Sequence, residues 1–145
     1  MNKKSIALKR GFTLIELLLV IAILGVLSAA VVIAINPKKR LDQANDTKAK
    51  NDFGQVATAL SAYFTSNSTY PVGATWATLD ALETSEDLKA VPDGATGYTY
   101  SYSGNATNAA LWVTLKSPKV SSLPVLCWRS ATGGFTEVAA ASCAP

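Results

Sequence analysis

The feature that most limits how this chain can fold is an apolar run near its N-terminus. Phe12 to Ile35 covers 24 residues, of which only Thr13, Glu16, Gly25 and Ser28 are not strongly apolar. As a helix this run extends about 36 Å at 1.5 Å per residue, whereas the hydrocarbon core of a bilayer is roughly 30 Å thick. A helix in a small soluble domain is rarely apolar on every face. The run therefore predicts a membrane-spanning helix.

A basic stretch followed by an apolar one is also typical of a cleaved secretory signal peptide, and Ser28-Ala29-Ala30 fits the small residues of such a cleavage site. Glu16 argues against this interpretation. A carboxylate in an apolar segment costs about 2.5–3.5 kcal/mol at the bilayer centre and less near its surface, and it serves no purpose in a discarded segment. An ionisable residue inside a membrane segment is instead a candidate functional site.

The residues Gly11-Phe12-Thr13-Leu14-Ile15-Glu16-Leu17, after a short basic leader, resemble the class III signal of type IV pilins and type II secretion pseudopilins. This resemblance implies that a prepilin peptidase cuts between Gly11 and Phe12 and N-methylates Phe12. It also implies that Glu16 pairs with the Phe12 amine of a neighbouring subunit and so sets the axial register of a filament. A cation and a carboxylate that are each costly in apolar surroundings would thereby satisfy one another.

Charge distribution bears on orientation. Lys3, Lys4, Lys9 and Arg10 precede the apolar run, and the three basic residues 38–40 follow it. Four against three favours a cytoplasmic N-terminus only weakly, and the resemblance implies that same single-pass orientation, with the rest of the chain outside. Loss of residues 1–11 would remove four of 13 basic residues and leave nine against 10 acidic ones, so the charge of +3 belongs to the leader.

The segments expected from the sequence are a leader (1–11), a transmembrane and assembly helix (12–35), an amphipathic continuation (36–66) and a head (67–145). Asn36-Pro37 predicts a kink or a new helix start, and apolar residues at helical spacing continue to about Ser66. In the head we expect a short helix at 76–88, strands at 98–103, 111–116, 125–129 and 135–140, and two hairpins. The fold class is therefore α+β, and the resemblance implies a pilin fold, a long kinked helix on a small antiparallel sheet.

Cys127 and Cys143 are the two cysteines. Because the signal sends them across the membrane, a disulfide is favoured over two free thiols, and it resembles the disulfide-closed C-terminal region of many pilins. The spacing is not that of a C-x-x-C redox pair.

The sequence contains no catalytic constellation that we can identify. It has no histidine, no G-x-S-x-G and no phosphate-binding glycine loop. We therefore expect neither an enzyme nor a cofactor or metal site. The acidic residues of segment 80–93 do not follow EF-hand spacing and are predicted to be solvated. Alternate tyrosines at 98, 100 and 102 predict one packed sheet face rather than a binding surface.

Sequons at Asn45, Asn67 and Asn105 fit the N-x-[ST] pattern but arise readily by chance in so Asn- and Thr-rich a chain.

The predicted function is that of a structural subunit of a type IV pilus-like filament. Two alternatives remain open: a pseudopilin of a type II secretion system, and a monomeric surface domain tethered to the membrane. The implied partners are further copies of the chain, the prepilin peptidase, an assembly platform with its ATPase, and the cytoplasmic membrane that holds the subunit before it joins an extracellular or periplasmic filament. The few basic residues do not predict nucleic-acid binding.

Overall fold

The computed structural model describes residues 11–139 and Cys143. The leader, with the four basic residues named above, and the predicted end of the last strand at Ala140 lie outside the described residues. The chain divides into two compact units, with the division after Pro37.

Helix α1 spans Leu14–Ile35. It begins where Thr13, in extended conformation, accepts a hydrogen bond from the Glu16 backbone N–H on its side-chain oxygen, which satisfies one of the free donors of the first turn. It ends at Asn36, whose φ of 47° is left-handed, a conformation that asparagine tolerates better than most residues. None of its residues is buried.

Helix α2 spans Pro37–Asn67 and starts with the proline, which lacks the N–H that a first helical position cannot use. The kinked helix expected for residues 12–66 is therefore two helices separated by Asn36. Ala49, Phe53, Val56 and Leu60 lie on one stripe of α2 and are fully buried, as their helical spacing predicts.

A 3-10 turn at Trp76–Leu79 leads into the short helix α3, Asp80–Thr84. The predicted helix to residue 88 stops earlier because Glu86 takes a positive φ of 62° and the Leu88 N–H donates to the Leu82 carbonyl. This closing turn brings the side chain of Leu88 back against the core.

The sheet is a four-stranded antiparallel meander in the order β1-β2-β3-β4, formed by Ser101–Gly104, Ala109–Thr114, Val125–Arg129 and Phe135–Val138. Its register sets Tyr102 opposite Leu111 and Leu111 opposite Trp128, all three buried in the core with the α2 stripe. The α+β fold class expected from the sequence is confirmed. The edge strands β1 and β4 are each four residues long.

Cys127 on β3 and Cys143 form a disulfide with their Cα atoms 5.8 Å apart. Closing a loop between residues 16 apart restricts the unfolded chain, which stabilises the fold by about 3 kcal/mol in the loop-entropy model. The disulfide ties the C-terminal end of the chain to the sheet.

Candidate processing and assembly site

The start of α1 brings Thr13 and Glu16 together. Thr13 Oγ1 accepts from the Glu16 N–H at 3.3 Å and lies 3.5 Å from Glu16 Oε2, to which it donates. The Leu17 N–H donates to the Thr13 carbonyl at 3.2 Å. A threonine N-cap with glutamate three residues later has the spacing of a capping box, so Glu16 also has a local role that the sequence analysis did not identify.

That local role does not account for a carboxylate. A negative side chain in the first turn of a helix gains about 0.3–1 kcal/mol from the helix dipole when exposed, and glutamine serves the same box position without a charge. Placing the charge in an apolar membrane costs more than the dipole returns. Glu16 is exposed within the single chain.

The surface of α1 is apolar and uncovered on all sides. Fifteen large apolar side chains of this helix are exposed, from Val20 at 43% to Ile33 at 83%. Its 22 residues extend about 33 Å. By length and composition α1 could therefore cross a membrane, as the sequence predicts.

Gly11 and Phe12 precede the helix. A Cβ added at Gly11 would meet nothing within 4 Å among the described residues, and its φ is not among the positive values that require glycine. Phe12 is 73% exposed. The described residues therefore give no internal reason for glycine at position 11.

The alternating tyrosines of the head, which we call the tyrosine row, are Tyr98, Tyr100 and Tyr102. Each hydroxyl donates a hydrogen bond inward, to Asp46 at 2.6 Å, Asp52 at 2.8 Å and the Pro71 carbonyl at 2.5 Å. Burial raises the pKa of all three tyrosines, and the hydrogen bonds to Asp46 and Asp52 raise the pKa of Tyr98 and Tyr100 further. These phenols stay protonated. Those of Tyr98 and Tyr100 attach the head to α2, and that of Tyr102 attaches β1 to the backbone at Pro71, so the row is not an exposed binding surface.

Asp46 and Asp52 are the buried carboxylates that accept from Tyr98 and Tyr100, and the apolar pattern of the sequence did not predict their burial. Asp46 accepts from the backbone N–H groups of Lys116 and Ser117 as well as from Tyr98. Their position beside the apolar stripe of α2 could have indicated burial, because a buried aspartate needs hydrogen-bond donors from other segments. Among residues 11–139 and Cys143, no three His, Cys, Asp or Glu side chains cluster in a way that could hold a metal ion.

A second contact between α2 and the sheet is charged. Lys50 lies 3.2 Å from Glu137 Oε1 on β4, and Glu137 Oε2 accepts from the Lys119 N–H at 3.0 Å. These residues line a shallow cavity of about 430 Å³. Lys50 and Glu137 pair there, and the exposed Lys119 adds one further charge to the lining, so the cavity carries no cluster of unpaired charges for a ligand.

Comparison with known proteins points to the N-terminal region. The model of the prokaryotic N-terminal methylation motif matches residues 6–32. A type II secretion system core protein G from Pseudomonas aeruginosa is 48% identical over 61 residues, 42% of each chain. Proteins of the same name from Pectobacterium carotovorum and Klebsiella michiganensis are 41% and 40% identical over 63 residues, 43% of this chain and 39% and 43% of theirs.

The aligned region thus covers about two fifths of the length of these curated relatives. No solved structure matches the chain. The methylation motif includes Gly11, Phe12 and Glu16, and the fold joins an apolar N-terminal helix to a four-stranded antiparallel sheet. Residues 6–32 therefore carry the prokaryotic N-terminal methylation motif, and over about two fifths of its length the chain is similar to type II secretion system core protein G.

Proposed function

We propose that this chain is a structural subunit of a type IV pilus-like extracellular filament, cleaved and N-methylated by a prepilin peptidase and polymerised through α1. The observation that carries this proposal is the fully uncovered apolar surface of α1. We infer a structural rather than a catalytic role for it.

Burying one large apolar side chain is worth about 1.5–3 kcal/mol, so fifteen of them represent on the order of tens of kcal/mol. No folded chain leaves such a surface in water. A bilayer covers it while the subunit is stored, and the α1 helices of other copies cover it in a filament. One helix surface thus serves two successive environments.

Apolar helices alone slide past one another with little preference, so a filament needs a contact that fixes register. Glu16 supplies the charge, and the amine exposed by cleavage before Phe12 supplies its counter-ion. Within one chain Glu16 contacts Thr13, which carries no charge. We infer that the carboxylate pairs with the Phe12 amine of a neighbouring copy, and that Gly11 is the small residue that the peptidase site accommodates.

The proposed partners follow from this sequence of events. The subunit waits in the cytoplasmic membrane as a single-pass protein with its N-terminus inside. A platform protein with its cytoplasmic ATPase then extracts it into an extracellular or periplasmic filament.

The relatives favour one version of this filament. All three are named core protein G of a type II secretion system, which supports a secretion pseudopilus as the second candidate. Deleting the gene and comparing secreted proteins with surface filaments separates the two: loss of secretion identifies a pseudopilin, whereas loss of long surface filaments identifies a pilin.

Processing is tested by co-expressing the full chain with a prepilin peptidase and measuring the N-terminal peptide by mass spectrometry. We expect the mature chain to start at Phe12 with one added methyl group. A Gly11→Val variant should remain uncut yet keep its head fold, since nothing in the described structure packs against Gly11. A mature terminus at any other residue contradicts the proposal.

Assembly is tested with Glu16→Gln, which retains the hydrogen-bonding capacity of the capping box and removes only the charge. Breaking a buried ion pair by removing one partner costs about 3–5 kcal/mol. The amount of filament that shearing releases from the cells should therefore fall by tenfold or more, while the amount of membrane-inserted monomer stays the same. The control is Asp80→Asn, which removes one exposed carboxylate from α3. Normal filaments from Glu16→Gln would exclude the register role. A parent chain that forms no filaments and does not cross-link would instead leave a tethered monomer as the better explanation.

A further inference from the structure

The three Asn-x-Ser/Thr sequons differ sharply once they are placed in the fold. They begin at Asn45, Asn67 and Asn105. An N-linked glycan requires that the asparagine side-chain nitrogen be accessible and that the segment lie at the surface. The hydrogen bonds and burial of each sequon decide whether it meets these two conditions.

The first sequon lies within α2. Its middle residue, Asp46, is 4% exposed and anchors the tyrosine row. The Thr47 hydroxyl donates to the Gln43 carbonyl of the same helix. An enzyme could bind this sequon in an extended or turned form only by unwinding α2 and removing Asp46 from the core.

The second sequon begins at the last residue of α2. Here the Asn67 nitrogen Nδ2 donates to the Tyr63 carbonyl at 3.0 Å, so the atom that would be modified is already engaged in closing the helix. Ser68 has a left-handed φ of 57°, and the Thr69 hydroxyl donates to the Tyr70 carbonyl. The acceptor nitrogen of this sequon is therefore not available.

The third sequon forms the exposed turn between β1 and β2. Asn105 Oδ1 accepts from the Thr107 N–H at 2.9 Å, from the Thr107 hydroxyl at 3.1 Å and from the Asn108 N–H at 2.8 Å. Two backbone donors identify this atom as the amide oxygen, so Nδ2 occupies the opposite position. Nδ2 donates to no atom of residues 11–139 or Cys143, and residues 105–107 are all exposed.

An ordinary turn accounts for the oxygen of Asn105 but not for its nitrogen. Aspartate accepts the same hydrogen bonds and is equally suited to such turns. Asn105 thus presents a surplus amide nitrogen at the surface, next to a threonine two residues later and with no proline between them.

We propose that Asn105 is an acceptor site for N-linked glycosylation, and that Asn45 and Asn67 are not. The donor class is an oligosaccharide joined to a polyprenyl lipid through a diphosphate. Asn105 Nδ2 forms a bond to the anomeric carbon, the bond from that carbon to the diphosphate oxygen breaks, and the lipid diphosphate leaves with the electron pair and takes up the amide proton. In cells this requires the head to reach the side of the membrane where such donors are presented, which rests on the proposed function.

The test is made in vitro, so that it does not depend on filament formation. The folded full-length chain in detergent is incubated with an oligosaccharyltransferase that accepts the plain Asn-x-Ser/Thr sequon and with its lipid-linked donor, and glycopeptides are identified by mass spectrometry. We expect a single glycan per chain, on Asn105. The heat-unfolded chain is the control for enzyme activity, because all three sequons are accessible in it.

Three variants refine the result. Asn105→Asp retains the turn oxygen and removes the nitrogen, so it should fold normally and lose the glycan. Thr107→Val removes the hydroxyl at nearly constant volume and should also lose it, whereas Asn67→Gln should leave it unchanged. An unmodified folded chain, given modification of the unfolded one, overturns the proposal, as does a glycan on Asn45 or Asn67 of the folded chain.

Discussion

Replacing Asp46 by alanine is the substitution that most directly tests how the head is attached to α2. The carboxylate is 4% exposed and accepts three hydrogen bonds, from the Tyr98 hydroxyl at 2.6 Å, the Lys116 N–H at 3.0 Å and the Ser117 N–H at 2.8 Å. All three donors belong to segments more than 50 residues away along the chain. Asp46→Ala leaves each of them without its acceptor.

The magnitude follows from those three bonds. A hydrogen bond to a charged acceptor contributes about 1.5–3 kcal/mol, and partial access of water to the three donors reduces the sum. We therefore expect Asp46→Ala to lower the free energy of unfolding by roughly 3–5 kcal/mol. For a unit of about 100 residues each kcal/mol lowers Tm by about 4–8 °C, so the Tm of the head should fall by at least about 12 °C.

The assay is thermal unfolding of the full chain in detergent, followed by near-ultraviolet circular dichroism, which reports the packed aromatic side chains of the head. Tyr98→Phe is the matched control, because it removes one of the three bonds and leaves both backbone donors paired; we expect it to cost about 1 kcal/mol. The Tm of Asp46→Asn should fall between those of the two variants. Its amide oxygen can still accept, but its NH2 group would face one of the three donors without forming a hydrogen bond.

The ranking is what carries the test. If Asp46→Ala lowers Tm no more than Tyr98→Phe does, the carboxylate does not organise the Lys116 and Ser117 backbone and the reasoning is wrong. If Asp46→Asn has the same Tm as the parent chain, the negative charge of Asp46 does not contribute to stability, even though the hydrogen bonds do.

Three further measurements probe other parts of the head. Because the pKa values of the tyrosine row are raised, their contribution to the free energy of unfolding should be fully present below about pH 10 and be lost above it, as unfolded tyrosines lose protons that folded ones retain. Tyr100→Phe should weaken this loss, and an alkaline unfolding profile unchanged in the variant contradicts it. Replacing Cys127 and Cys143 together by serine should cost about 3 kcal/mol in denaturant unfolding, with the reduced parent chain behaving alike. Gly104→Ala places a Cβ against the Tyr102 hydroxyl and 2.6 Å from the Pro71 carbonyl oxygen, so it should lower the free energy of unfolding by about 1–3 kcal/mol. Gly54→Ala, in open space within α2, should raise it by about 0.5–1 kcal/mol. Equal effects of the two substitutions would show that the packing at Gly104 is not tight.

Periodicity predicted the element types well because each element has one buried face. The α2 stripe and the β3 strand, Val125–Arg129, appear where the apolar pattern put them. Strand ends were less predictable. The first strand was expected from Tyr98, but β1 begins at Ser101. The Tyr98 N–H donates to the Ala95 carbonyl and the Lys116 N–H donates to Asp46, so neither continues the ladder.

The candidate assembly site was accessible to sequence reasoning for a different reason. The motif at Gly11, Phe12 and Glu16 is contiguous, so no tertiary information is needed to assemble it. Asp46 and its three donors are separated by long stretches of chain and meet only in the folded head. A pattern read along one segment cannot show which distant donors a buried aspartate will find.

The outer edge of β4 has a consequence for the proposed filament, in which copies of the chain would be held side by side. Within the part of the chain that the structure describes, no strand pairs with that edge, and an open edge is a template onto which a strand from another molecule can add. β4 is only four residues long, and Glu137 on it is drawn toward Lys50 of α2. A short strand carrying a fixed charge is a poor template. In the proposed filament, where heads would be crowded, a short and charged edge would keep them from pairing through their sheets and leave subunit contacts to the helices.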